Sequence, residues 1–198
     1  MEMSNSSRSL HGVRGESRER AIMDAVVELI AEVGYERISM DSIAARARAS
    51  KTTIYRRWAG KPELVAHALR RRAEGDVAAP PDTGSIRGDL LANAEAIATS
   101  IAGSGGPSFL GLVEGIRDDP VLRELVHQQI DAASERSGAT LVEHARARGE
   151  HIHAKRVPAA FDLMVSHLFL GALLRPGETG AHERGALVDD ILLPLLTE

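Results

Sequence analysis

ISMDSIAARARASKTTIYRRWAGKPELVAHAL, residues 38–69, decides how this chain is read. Ser39 is a good N-cap for a short helix over 40–47, with Asp41 well placed in its first turn and Ile43, Ala44 and Ala47 as its small apolar face. Ser50 caps a second short helix, 51–58. About three residues join the two, which is helix-turn-helix length and leaves the second helix free to enter a DNA major groove. That helix begins with Lys51, Thr52 and Thr53, side chains able to reach base edges or phosphates. Tyr55 adds a hydroxyl on a rigid ring, and Arg56 and Arg57 add charge. A further helix, 61–79, opens with Gly60, Lys61, Pro62 and Glu63. Pro62 is tolerated there because first-turn amides have no helical partner. Lys61 joins its ammonium to those free amides, an arrangement that phosphate favours.

Outward from this stretch, Ile22, Val26, Leu29, Ile30 and Val33 mark one face of a preceding helix, 17–33, which Gly34 stops as a C-terminal cap. Residues 1–16 read as a polar, basic, disordered arm with no apolar centre of the kind a signal peptide needs. The net charge of −4 is unevenly divided: residues 1–72 carry 14 Lys+Arg against 9 Asp+Glu, and residues 73–198 carry 10 against 19. A basic head on an acidic body points the head at a polyanion.

Together the residues Gly34-Tyr35, Ser39, Ile43-Ala44, Ser50, Thr53, Ile54, Tyr55, Trp58 and Lys61 resemble, at matching spacing over residues 17–70, the pattern of the tetracycline-repressor-like (TetR) family. The resemblance implies that Thr52, Thr53, Tyr55 and Lys61 contact DNA and that Ser39 meets a phosphate, while Ile43, Ala44, Ile54 and Trp58 hold the head together. Arg48, Ser50, Lys51 and Arg56 complete the expected DNA-facing set. One departure stands out. The family's turn carries a Gly followed by an apolar residue, and here those places hold Arg48 and Ala49. A non-Gly residue at positive φ costs on the order of 1 kcal/mol or more, so either the turn differs somewhat from the family's or the head tolerates that strain.

The rest of the chain repeats apolar residues at helical spacing, with breaks at Pro80-Pro81, at 103–107, at Asp118-Asp119-Pro120 and at Arg175-Pro176-Gly177. Helices are expected from Ile86 to Ile101, from Phe109 to Ile116, over 120–148 (loosened near Ser137-Gly138), over 157–174 and over 181–196. The expected fold is all-α, about nine helices: a helix-turn-helix DNA-binding domain over 17–62, then a ligand-binding and dimerisation domain over 63–198. Two heads about one DNA turn apart (~34–36 Å) require a homodimer. Phe161, Val165, Leu168, Leu173, Leu187, Ile191 and Leu195 are its expected interface, as two helices from each subunit would form. By family resemblance, a cavity for a small, largely apolar effector is expected among Leu90, Ile97, Phe109, Val113, Ile116, Met164 and His167.

Other chemistries have little footing. The chain has no cysteine, so disulfides and thiolate metal sites are excluded. His151 and His153 sit in a polar connector without a carboxylate at ligand spacing, and no metal or cofactor is expected. There is no nucleophile elbow, phosphate loop or zinc-protease helix, so no catalytic residue is expected. No apolar run approaching the ~20 residues of a membrane span is recognised, and a cytoplasmic protein with an operator duplex as partner is expected. Two alternatives stay open: a helical small-molecule binder, and a DNA binder without operator selectivity, which would lack the ~10³-fold preference of a regulator.

Overall fold

Ile22, Val26, Leu29 and Ile30 share one buried face of α1 (Ser6–Arg37). In this computed structural model, residues 6–76, 82–103, 107–175 and 180–198 are described, and among them there are nine helices and no strand. α1 starts at Ser6, so residues 6–16, expected to be a disordered arm, are helical; residues 1–5 lie outside the described ones. No proline precedes Pro62 to stop the helix, and a formed helix adds a hydrogen bond for each residue it orders. Gly34 leaves helical geometry at φ 77°, ψ 166°. Val33, expected on the apolar face, sits beside this break and is 39% exposed.

α2 (Met40–Arg46) and α3 (Lys51–Tyr55) follow, then α4 (Lys61–Asp76), α5 (Ile86–Gly103), α6 (Pro107–Asp118), α7 (Pro120–Arg148) and α8 (Val157–Leu174). The last helix, α9, runs from Ala181 through a wider π-type turn at Val188–Leu192 to Thr197. The chain divides into two compact units: Met1–Arg71 with Gly106–Val126, and Arg72–Gly105 with His127–Glu198. The division expected at 62/63 falls elsewhere for two reasons. Leu64, Val65, Ala66 and Ala68 of α4 are buried in the same core as Ile54 and Trp58. α6 also packs along α1, where a Cβ on Gly111 would stand 2.7 Å from Gly34 Cα and one on Gly115 would stand 2.5 Å from the Tyr35 ring. Two side-chain-free positions one turn apart let that helix lie against the α1 terminus.

The second unit closes over Leu90, Leu141, Phe161, Met164, Leu168 and Leu192, each exposed to 2% or less. Gly138 does not loosen α7, which is continuous. A Cβ there would stand 2.8 Å from Val157 Cγ1, so the glycine admits α8. Arg148 ties this unit together by donating to Asp89 at 2.9 Å, to Glu150 at 2.6 Å and to Asp82. Asp89, 1% exposed, also accepts from the Thr83 amide and hydroxyl. Burial works to raise its pKa, yet Thr83 and Arg148 outweigh it and hold Asp89 below the usual carboxylate range.

One expectation about α8 is corrected. Ala154–Leu174 is long and apolar enough, by length and composition, to cross a membrane, with a mean hydropathy of 1.7. One such helix, a third of it buried in the core, does not make a membrane span.

Candidate nucleic-acid interface

The head is built by its caps. Ser39 Oγ accepts from the Ser42 amide at 3.1 Å while Ser42 Oγ accepts from the Ser39 amide at 2.9 Å, a reciprocal pair that starts α2. Ser50 Oγ accepts from the Thr53 amide at 3.2 Å and lies 2.8 Å from Thr53 Oγ1. Ile43 and Ile54 are fully buried, and Trp58, 2% exposed, donates from Nε1 to His67 Nδ1 at 2.8 Å. The opposite surface of α3 is therefore fixed: Lys51, Thr52, Tyr55, Arg56 and Arg57 are exposed, Tyr55 to 52%. The hydroxyls of Ser39, Ser50 and Thr53 sit at helix starts, already engaged in caps.

Several of these cations have intramolecular partners. Lys51 pairs with Asp41 and Arg57 with Glu19, while Arg46 bonds Glu28 at 3.1 Å and Glu32 at 2.6 Å. Lys61, expected to meet phosphate, has its ammonium turned inward. It donates to the Tyr35 carbonyl at 3.1 Å and lies 4.0 Å over the Tyr35 ring. The Tyr35 hydroxyl donates in turn to Asp119 Oδ2. Burial first, and Asp119 second, push the Tyr35 hydroxyl pKa up. Burial also acts to raise the pKa of Asp119. The Tyr35 hydroxyl, the Leu122 and Val121 amides and the Lys61 charge more than offset it, and Asp119 titrates below the ordinary range. The sequence marked Asp119 only as a helix restart, which it is: its Oδ1 caps α7 through the Val121 and Leu122 amides at 3.0 and 3.1 Å. Its bond to a tyrosine 84 residues away has no local signal.

The expected effector walls are drawn from both units. Ile116 packs against the first unit's core, whereas Leu90 and Met164 are closed inside the second unit's core with Ile97 packed against it. Val113 and His167 are half-buried, in different units, and Phe109 lies outside the described side chains. A groove of about 360 Å³ instead lies along Val142, Arg146, Glu150, His151 and Ile152, and it is open. The rings of His151 and His153 meet edge-on at 5.0 Å. Asp82, Asp89 and His144 gather within 4.8 Å, a spacing that suits a metal ion, but their carboxylates are taken by Arg148 and Thr83.

The expected dimer surface is corrected in part. Phe161, Leu168 and Leu187 are exposed to 3% or less, closed in their own core and unavailable to a partner. Val165, Leu173 and Leu195 are half-buried, and Ile191 is 46% exposed. Leu163, Leu170 and Leu174, exposed to 46, 53 and 67%, were not singled out in the sequence. Their spacing puts them on one face of α8.

Comparison with known proteins adds the following. Residues 22–68 match the model described as bacterial regulatory proteins, tetR family, and residues 80–191 match that of the tetracyclin repressor-like C-terminal domain. The chain is 35% identical over 182 residues to an HTH-type transcriptional regulator of Mycobacterium tuberculosis, covering 91% of this chain and 88% of that one. It is 31% identical to the DNA-binding transcriptional repressor TetR of Mycobacteroides abscessus, covering 92 and 96%. Among solved structures, a tetR-family regulator from Streptomyces coelicolor superposes with a TM-score of 0.67 at 22% identity, covering 91% of this chain and 80% of that one.

Proposed function

We propose, since this chain belongs to the tetR family of bacterial regulatory proteins, that it is a homodimeric cytoplasmic repressor released from a palindromic operator by a small, largely apolar effector. The observation that carries the reading is the exposed row Lys51, Thr52, Tyr55 and Arg56, held rigidly outward because Ile54 and Trp58 anchor the other side of the same segment. Bases are read by Lys51 and Thr52. Tyr55, Arg56 and the cap residues Ser39, Ser50 and Thr53 meet phosphates.

The repressor sense is supported by the Mycobacteroides relative, described as a repressor. The dimer is supported by the exposed leucines of α8, which a second copy would cover. The effector reading rests on the C-terminal domain's family and on the aliphatic interior around Leu90, Ile97 and Met164. The effector acts by preferring a state in which α4 has swung and the two heads no longer match successive major grooves. Such couplings are typically worth ~1–3 kcal/mol.

Selecting bound duplexes from a random-sequence pool tests this. The expected product is an inverted repeat with half-sites one helical turn apart, held ~10³-fold more tightly than random DNA and released by apolar compounds but not by polar ones. A pool that stays random overturns the operator reading. An operator that no small molecule releases overturns the effector reading alone.

A further inference from the structure

Six cations lie between Ile38 and Lys61: Arg46, Arg48, Lys51, Arg56, Arg57 and Lys61. Four are held inside the head by Glu28 and Glu32, by Asp41, by Glu19 and by Tyr35 respectively. Arg48 and Arg56 are exposed and have no ion pair or side-chain hydrogen bond among the described residues.

Arg48 also differs in its backbone. At φ 49° it is the sole non-glycine with positive φ among the described residues. The geometry is that of a helix C-terminus: the Arg48 amide donates to Ala45 O at 3.3 Å and the Ala49 amide to Ala44 O at 2.9 Å. The same two bonds end α7, where Gly149 donates to Arg146 O at 3.1 Å and Glu150 to Ala145 O at 2.9 Å. There the left-handed position is filled by glycine, at φ 72°. One motif thus has two solutions in one molecule: an unstrained glycine at the end of α7, and a strained arginine in the turn between the two reading helices. Packing does not explain the arginine, because its side chain is exposed. An intramolecular charge partner does not explain it either.

We propose that Arg48 is a phosphate anchor of the head, its guanidinium reaching the duplex backbone from a left-handed turn that a glycine would hold with less strain. A guanidinium suits this task because it is always charged and its fork can bond two phosphate oxygens at once. With the Lys61 ammonium withdrawn onto Tyr35, Arg48 supplies phosphate charge from the turn instead. The proposal rests on DNA binding by the head and needs no operator, because a phosphate contact acts on any duplex.

The experiment compares the full-length wild type with Arg48→Gly, Arg48→Asn and Arg48→Lys. Binding to a 30-base-pair duplex of arbitrary sequence is followed by anisotropy between about 50 and 200 mM salt. Melting of the head is followed by the fluorescence of Trp58, the single tryptophan of the chain. Arg48→Gly is expected to raise the melting temperature by roughly 2–4 °C and to lower the magnitude of the log K against log salt slope by about 1 per head. Arg48→Asn, which tolerates the left-handed conformation without charge, is expected to lower the slope equally. Arg48→Lys is expected to keep the slope and gain no stability. An Arg48→Gly protein with an unchanged slope overturns the proposal, as does one that melts lower than the wild type. An Arg48→Lys slope as shallow as that of Arg48→Gly overturns it too. If the wild type itself shows no salt-dependent binding, the DNA-binding reading fails, and a failure confined to the variants leaves that reading standing.

Discussion

Lys51 stands at the first position of the reading helix and is exposed, yet Asp41 of α2 pairs with it. A DNA contact by Lys51 either shares its ammonium with that carboxylate or displaces it, and in both cases a negative charge stays on a surface facing a polyanion. An exposed pair of this kind is worth roughly 0.2–1 kcal/mol. Asp41→Asn is therefore expected to tighten binding to every duplex by roughly two- to five-fold at low salt, an advantage that shrinks as salt rises. Anisotropy titrations at two salt concentrations measure it, and weaker binding by Asp41→Asn would show that the carboxylate orients Lys51 rather than competing for it. Ser39 and Ser50 act on the same scale: each spends its hydroxyl on a cap before any phosphate arrives.

Among the elements, α6 is the one whose place the chain's order does not suggest. It follows α5 in sequence but packs on α1, and Gly111 and Gly115 set the distance. Glycine inside a helix ordinarily costs ~1 kcal/mol relative to alanine. Here the balance reverses, because a methyl group on Gly111 meets the Gly34 backbone rather than a side chain that can turn away. Overpacking of this kind costs roughly 1–3 kcal/mol. Gly111→Ala is expected to lower the head's melting temperature by several degrees when followed through Trp58. A rise would mean that α6 is free to move away from α1. Tyr35, Lys61 and Asp119 meet beside this contact, so the fourth helix, the end of the first and the start of the seventh share one set of polar bonds.

For the whole molecule the decisive feature is an apolar face that its own core does not cover. Leu163, Leu170 and Leu174 are about half exposed or more, in a helix whose other face holds Phe161, Met164 and Leu168 among the most deeply buried side chains. A second copy covering those leucines brings two heads together, which the reading of a palindrome demands. The double substitution Leu163→Glu and Leu170→Glu is expected to yield a folded monomer by sedimentation, with unchanged helical content. It should bind an operator at least tenfold more weakly while keeping its feeble affinity for random DNA. A dimer that survives the substitution places the interface elsewhere.

The helix-turn-helix was legible in residues 38–69 because its determinants are local. Caps act three residues away, helical hydrogen bonds four, and the apolar side of a short helix repeats every three or four. The charge division between head and body was legible for the same reason, being a property of composition along the chain. The sequence marked Arg48 as standing where the family has Gly, but that its backbone takes a positive φ was decided by the structure. Tertiary structure decided what depends on partners far along the chain. It turned Lys61 onto a carbonyl 26 residues earlier and split the expected effector walls between two cores. In α8 it separated Leu163 and Leu170 from Phe161 and Leu168, which an apolar composition on every side of the helix cannot do. Which apolar face turns inward is set by the helices that arrive against it, and no periodicity within one helix carries that information.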